Sequence, residues 1–458
     1  MKRVDHAKLS KQFIAQEKHV KFHDKRLWDL REKRDAAAHG VAEWEQLRTL
    51  ASHIKEHTLS HLADYLEQFE QQAFENGVTV HWAADAQEHN EIVHRILSSR
   101  GARSLVKSKS MLTEECELRP YLNARGIAVL ETDLGEQIQQ FDEEPPSHIV
   151  LPAVHKLASD VAQVFARAIG TDPGNSDPHY LAESQRQATR PKILQADAGM
   201  TGCNFAVAET GTVTVCTNEG NADLCANVPP LHIVSIGIEK LIPKMVHLPV
   251  FIRLLSRSAL GTPITQYTSH FRSPRAGSEM HYVLVDNGRS DRLALDDFWY
   301  SLKCIRCAAC MNTCPVYRRS SGHSYGGVYA GPIGAIINPT FDLKKYSTLP
   351  FASTLNGSCS NVCPVKIDIH GQLYKWRQII AEQHELPFLK RGAMKAAGVV
   401  LGNPKLYRAA IASVNQATSS LPRAFVYNPF NAWGKTREVP AAPALTFRQW
   451  YLKNRAKK

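Results

Sequence analysis

The chain has 458 residues, is 43% hydrophobic and carries a formal net charge of +11. That length holds two or more domains with real cores. No apolar run approaches the roughly 20 residues of a bilayer-spanning helix, and the polar start Met1-Lys-Arg-Val-Asp-His-Ala-Lys8 lacks an apolar signal region, so neither a helical membrane protein nor a secreted one is expected.

Residues 1–76 read as a helical region. Trp44, Leu47, Leu50, Ala51, Ile54, Leu59, Leu62, Tyr65, Leu66 and Phe69 recur near helical spacing, and Gly77 ends the run. Residues 77–297 then alternate short β-rich and helical pieces. Val78–Trp82, Ser104–Lys107, Ile127–Glu131, His148–Ala153, Val207–Cys216, His232–Ile236 and Tyr282–Asp286 are strand candidates, and Glu91–Leu97 is a helix. That alternation predicts an α/β domain with a mostly parallel sheet covered on both faces.

Several strand ends in this stretch are too polar for plain strands. Lys107-Ser-Lys109-Ser110 leads into a helix, where hydroxyls and lysines either bind an anion or simply cap the helix. Two strands join at Glu209-Thr210-Gly211, and the second ends in Thr217-Asn218-Glu219-Gly-Asn221. Glu209 and Glu219 are either an acid–base pair or solvated loop carboxylates. Glu131-Thr-Asp133-Leu-Gly135-Glu136 is a third such loop. Loops at strand ends are where α/β sheets take ligands, so Lys107, Lys109, Ser110, Glu209, Thr210, Gly211, Asn218 and Glu219 are the candidate ligand-binding residues. No GxGxxG follows a strand, and no GxSxG elbow occurs.

Residues 298–415 form a different module, helical and rich in cysteine. Cys304-Ile-Arg-Cys307-Ala-Ala-Cys310-Met-Asn-Thr-Cys314-Pro315 has the x2, x2, x3 spacing of a bacterial ferredoxin run. A zinc knuckle needs four ligands in one tetrahedron and has no use for the Cys-Pro step. Cys359-Ser-Asn-Val-Cys363-Pro364 repeats the Cys-Pro ending. In two-cluster ferredoxins the Cys-Pro thiol crosses to the other run's cluster. Hence Cys304, Cys307, Cys310 and Cys363 are the ligands of one 4Fe–4S cluster, and Cys314 and Cys359 belong to a second site. The positions preceding Cys359 at x2 steps are Asn356 and Ser353, poor ligands where iron favours soft thiolates. Cluster thiols need a reducing compartment, so a cytoplasmic location is expected, and the scattered Cys116, Cys203, Cys216 and Cys225 read as packing residues. The Gly-rich connector His323–Gly334 reads as turns and close packing or as backbone that approaches a phosphate, and Ala393–Leu401 as a patch buried against the cluster module or as a partner groove.

Residues 416–458 read as an extended tail with Pro422, Pro429, Pro440 and Pro443. From Lys366 onward there are 16 Lys/Arg against 4 Asp/Glu. Without a nucleic-acid motif, this charge is a solvated surface or a docking face for a protein partner or the inner membrane face.

The order Lys107-Ser-Lys-Ser-Met, Glu131–Glu136, Thr201–Gly211, Thr217–Asn221, Val285–Ser290 and the two cysteine runs resembles the lactate utilization protein B family, over roughly residues 35–400. The resemblance implies an α/β domain similar to sugar-isomerase and CoA-transferase folds, followed by a ferredoxin-like helical module. It implies a role beside two companion proteins, one a glycolate-oxidase-type iron–sulfur protein, in oxidising L-lactate to pyruvate. The family pattern has a cysteine where this chain has Asn356. The expected function is an iron–sulfur electron-transfer subunit. The rivals are an enzyme with its active site in the α/β domain and a structural or regulatory cluster, and a redox-sensing scaffold.

Overall fold

The computed structural model describes residues 3–386, 388–420, 422–425, 427–428, 438 and 443–455. Four helices open the chain: His6–Ile14, Glu17–His39, Trp44–Ser60 and Leu62–Glu75. In the second, Val20, His23, Leu27, Leu30, Arg34 and Ala38 are buried, a stripe at steps of three and four. Two of those stripe positions thus carry His23 and Arg34, and both have partners in the cysteine module.

Strands β1 (Thr79–Ala83), β2 (Ser104–Lys107), β3 (Ala128–Glu131), β4 (Ala198–Gly202), β7 (Leu231–Gly237) and β10 (Glu279–Val285) form a six-stranded sheet in the order β1-β10-β7-β4-β2-β3. Every neighbouring pair is parallel. Alternate residues serve opposite faces. Leu105, Ile233 and Val283 pack with Ile92, Val93 and Ile96 of helix Ala86–Ser99. Val234, Tyr282 and Leu284 pack instead with Leu66, Phe69 and Ala73 of helix Leu62–Glu75. Gly199 has to be glycine, because a Cβ there would lie 1.7 Å from the Cys225 carbonyl oxygen of the covering helix Asn221–Asn227.

Strands β5 (Phe205–Val207), β6 (Thr212–Thr217), β8 (Leu241–Ile242) and β9 (Tyr267–Phe271) form a second sheet, β8-β5-β6-β9. The expected run Val207–Cys216 is therefore a hairpin, β5 pairing antiparallel with β6. The expected strand His148–Ala153 is a loop. Its apolar residues look like a strand, but Pro152 offers no N–H to a ladder, and Lys109 Nζ takes the Val150 carbonyl at 3.0 Å.

The chain forms two compact units, Met1–Ile379 and Ile380–Lys458. The first ends in helix Ile369–Glu382, where Trp376 stacks on Phe298 at 4.0 Å and donates to the Ile336 carbonyl. In the second, helices Phe388–Gly402 and Pro404–Ser420 pack together, and Thr446 caps helix Phe447–Asn454 with Gln449 completing a capping box. The apolar patch Ala393–Leu401 is not buried, with Met394, Val399 and Leu401 about two-thirds exposed. Its apolar positions fall all round the helix, so a single packing partner leaves most of them open. Pro429 and Pro440 lie outside the described residues. Among the described residues, no helix is long and apolar enough to cross a membrane.

Candidate metal centre and adjoining cavity

The first cysteine run is wound into short turns. Arg306 and Ala308 adopt left-handed backbone at φ +61° and +62°, bending the chain back on itself between successive thiols. Helix Ala309–Thr313 then packs on helix Ser358–Asn361 of the second run. Cys307, Cys310, Cys314, Cys359 and Cys363 are buried, and Cys304 is half-buried. Burial pushes the Cys307 thiol up, and Cys304 and Cys363 push it further. Burial also raises Cys310, with Cys304, Cys307, Cys359 and Cys363 adding to it. Cys363 is pushed up to about 11 by burial, opposed by the Ile367 N–H and reinforced by Cys304. Cys359 is pushed up to about 11 by burial and then by Cys314. The thiols of Cys304, Cys307, Cys310 and Cys363 thus act on one another, and Cys359 acts on Cys310 as well as being raised by Cys314.

Backbone N–H groups face the sulfurs: Arg306 N–H to Cys304 Sγ at 3.4 Å, Tyr317 N–H to Cys314 Sγ at 3.4 Å, and Ile367 N–H to Cys363 Sγ at 3.3 Å. Four soft donors with N–H bonds to sulfur suit an iron–sulfur cubane. The second site differs. Asn356 is exposed and its Oδ1 accepts from Ser358 N at 3.1 Å, while Ser353 Oγ accepts from Leu355 N at 3.1 Å. Both side chains are occupied with their own turns. Cys314 and Cys359 alone do not fit an ordinary cubane.

The N-terminal helices hold the cysteine loops in place. Arg48 Nε and Nη2 donate to the Cys363 carbonyl at 3.1 and 2.9 Å, and Nη2 donates to the Asn361 carbonyl at 2.6 Å. Arg34 Nη2 donates to the Val362 carbonyl at 3.0 Å, and Lys303 Nζ to Ser52 Oγ at 2.8 Å. His23 Nδ1 meets the Arg318 carbonyl at 2.8 Å. Sequence reasoning missed these arginines. Their signal was a charged residue at a core position of an amphipathic helix.

At the carboxyl ends of the parallel strands lies a cavity of about 470 Å³. Lys109, Ser110, Asn218 and Glu219, four of the candidate ligand-binding residues, line it. Lys107 lies beneath, fully buried at the end of β2, where the register sets it opposite Glu131. Its ammonium is 2.9 Å from Glu131, 3.4 Å from Glu114 and 3.8 Å from Glu136. Burial pulls Lys107 down, but Glu131, Glu136 and Glu114 outweigh it and hold the ammonium above the usual lysine range. Burial pushes Glu131 and Glu136 up, against the pull of Lys107. Lys109 is matched by Asp133 at 3.1 Å. Ser110 is the N-cap of Met111–Glu115, its Oγ accepting from Thr113 N. The segment therefore caps a short helix, and both its lysines meet carboxylates of the chain itself. Glu219 is pushed up to about 7 by burial and by Asp133, against Lys109.

Glu209, Thr210 and Gly211 are elsewhere, at the β5–β6 turn. Glu219 lies past the far end of β6, whose six residues span about 20 Å, so the two glutamates form no acid–base pair. Glu209 accepts from Met245 N at 2.9 Å, and Thr210's carbonyl accepts from Asn76 Nδ2. Gly211, at φ +64°, leaves no room for a Cβ beside the Ala73 backbone. That turn is packing. Of the scattered cysteines, Cys116 and Cys225 are core residues, whereas Cys203 and Cys216 line the cavity.

The family model of the LUD domain matches residues 66–290, and that of the 4Fe-4S dicluster domain matches residues 300–367. An iron–sulfur cluster is accordingly this chain's cofactor. Lactate utilization protein B of Geobacillus kaustophilus (strain HTA426) is 43% identical over 431 residues, 90% of this chain and 89% of that protein. Its counterpart from Geobacillus thermodenitrificans (strain NG80-2) is 43% identical over 437 residues, 91% of this chain and 90% of the relative. A third, from Anoxybacillus flavithermus (strain DSM 21510 / WK1), is 42% identical over 439 residues, 93% of this chain and 92% of its own. With an α/β domain, a cysteine module and likeness over nine-tenths of its length, the chain belongs to the lactate utilization protein B family.

Proposed function

We propose that this chain is the iron–sulfur electron-transfer subunit of a system oxidising L-lactate to pyruvate. The observation that carries the reading is the set of four neighbouring thiols, Cys304, Cys307, Cys310 and Cys363, in a member of a lactate-utilization family. These four hold one 4Fe–4S cluster, and Cys314 and Cys359 belong to a second, altered site. When bound, such a cluster supplies a store for one electron at a time. The N–H groups of Arg306 and Ile367 offset negative charge on the sulfurs they face, which favours the reduced state. Arg34 and Arg48 fix the loop that carries Cys363. Residues 298–415 act as the iron–sulfur module and 77–297 as the ligand-side domain. Two-electron chemistry at lactate falls to a companion lactate-utilization protein, one of them of the glycolate-oxidase type. The work is done in the cytoplasm, with the basic C-terminal segment touching the inner membrane face.

The test is an anaerobic mixture of the chain, its companions and L-lactate, followed by EPR and visible absorbance. The cluster should be reduced with companions present and stay oxidised without them. Lactate oxidation by the isolated chain, or undiminished turnover of the full system carrying Cys307→Ser, overturns the reading.

A further inference from the structure

The cavity wall nearest the first cysteine run holds charged donors that this chain leaves unfilled. Arg306, between Cys304 and Cys307 in sequence, lines the cavity with its guanidinium 4.4 Å from the Tyr329 ring. Its Nη2 is 3.5 Å from Glu239, and its buried Nη1 has no hydrogen-bond partner. Glu239 is already engaged by Arg289, whose Nε lies 2.5 Å away. Arg289 also grips Glu115 at 2.8 Å, and Tyr329 donates to Glu115. Lys240 follows directly and also lines the cavity. Among the described residues, no hydrogen bond or ion pair reaches its ammonium. A buried guanidinium N–H without a partner, as at Arg306 Nη1, is costly, and the half-buried Lys240 ammonium stands on the same wall, so the wall suits acceptor oxygens that arrive from outside.

We propose that this cavity binds a small organic carboxylate, its oxygens taken by Lys240 and Arg306 beside the cluster-one thiolates. Three cations, Lys240, Arg289 and Arg306, face two carboxylates, Glu115 and Glu239, on this wall. One negative charge suits that balance, whereas a phosphate dianion sets a second charge against Glu239. Ile149, Leu151, Leu255 and Leu260 supply an apolar bed for a carbon skeleton. The volume lies within the range of about 300–1,000 Å³ typical of small-molecule sites. The site deepens the electron-transfer reading, on which it rests only for the placing of a cluster at its edge.

The test is calorimetric titration of the anaerobic, cluster-loaded chain with pyruvate, L-lactate, neutral lactamide and inorganic phosphate. At least one carboxylate should bind saturably, with lactamide about tenfold weaker or worse, as expected for loss of one charged hydrogen bond. Lys240→Met should weaken carboxylate binding by a similar factor at unchanged iron content. Carboxylate should also shift the EPR signal of the reduced native chain and leave that of Lys240→Met unmoved. Absence of saturable carboxylate binding, equal binding of lactamide, tighter binding of phosphate, or an unaffected Lys240→Met each overturns the proposal. Iron counting separates the two readings: a cluster-free chain that binds pyruvate sinks electron transfer alone, and a loaded chain indifferent to carboxylates sinks this site alone.

Discussion

Replacing Lys107 by Met tests the electrostatic logic of the sheet's carboxyl edge. Lys107 is fully buried and faces Glu131, Glu114 and Glu136 within 4 Å. Methionine matches its length and removes its charge. Stripping one partner from a buried charge cluster costs about 3–5 kcal/mol. The cost depends on pH. Without the ammonium, the already raised Glu131 and Glu136 rise further and the folded state keeps a proton that the unfolded chain releases near pH 4.5. Each such proton lowers stability by about 1.4 kcal/mol per pH unit as pH rises through that window. Between about pH 5.5 and 7.5 the variant should therefore lose more stability than the native chain, in which the ammonium holds Glu131 and Glu136 lower. Urea denaturation of anaerobic, cluster-loaded protein, followed by far-UV circular dichroism, reads this as a widening gap in midpoint. Adding Glu131→Gln should recover part of the loss, because removing both partners costs less than removing one. Equal midpoints at both pH values, or a gap that narrows as pH rises, would refute the reasoning.

Arg48→Ala strips two charged donor bonds from the Cys363 carbonyl, which keeps only the Lys366 N–H, and one from the Asn361 carbonyl; chelator-driven loss of visible absorbance should be faster than in the native chain, and an unchanged rate contradicts the cradle. Glu219 is held at about 7 in the folded chain against 4.5 in the reference state, so its contribution to stability falls as pH rises from 4.5 to 7. Glu219→Gln should raise the melting temperature at pH 8 and not at pH 4.5, with an upper bound of about 3 kcal/mol that solvent screening reduces; a stabilisation independent of pH rejects that assignment. Replacing Lys453, Arg455, Lys457 and Lys458 by Gln should weaken binding to anionic vesicles by about 1 kcal/mol per charge at low salt. Phe447, Trp450 and Tyr451 are exposed on the same terminal helix, while Lys457 and Lys458 lie outside the described residues. Salt-independent binding with no loss makes that segment a solvated surface.

The elements that sequence made legible are those with local periodicity. The amphipathic N-terminal helices, the period-two strands and the Cys-Pro runs each carry their pattern within a dozen residues. His148–Ala153 misled because an apolar run makes a strand only where a neighbour offers its edge, and this segment instead walls the cavity. The exposure of Ala393–Leu401 depends on what covers a helix, which its own apolar content does not state. The cavity was half legible: Lys109, Ser110, Asn218 and Glu219 stood out as polar strand ends. Its cluster-side wall did not, because Arg306 gains meaning only from Glu239 and Tyr329, both far away in the chain. Glu209 failed for the converse reason. It looked like Glu219 in sequence, but the hairpin carries the two to opposite ends.

The most direct measurement is iron and acid-labile sulfide per chain after anaerobic purification, with EPR of the dithionite-reduced protein. The account predicts about four irons and four sulfides, one cubane on Cys304, Cys307, Cys310 and Cys363. It predicts loss of that signal in Cys307→Ser and a gain of iron in Asn356→Cys. About eight irons in the unmodified chain, or a full cubane surviving Cys307→Ser, would contradict the ligand scheme at its centre.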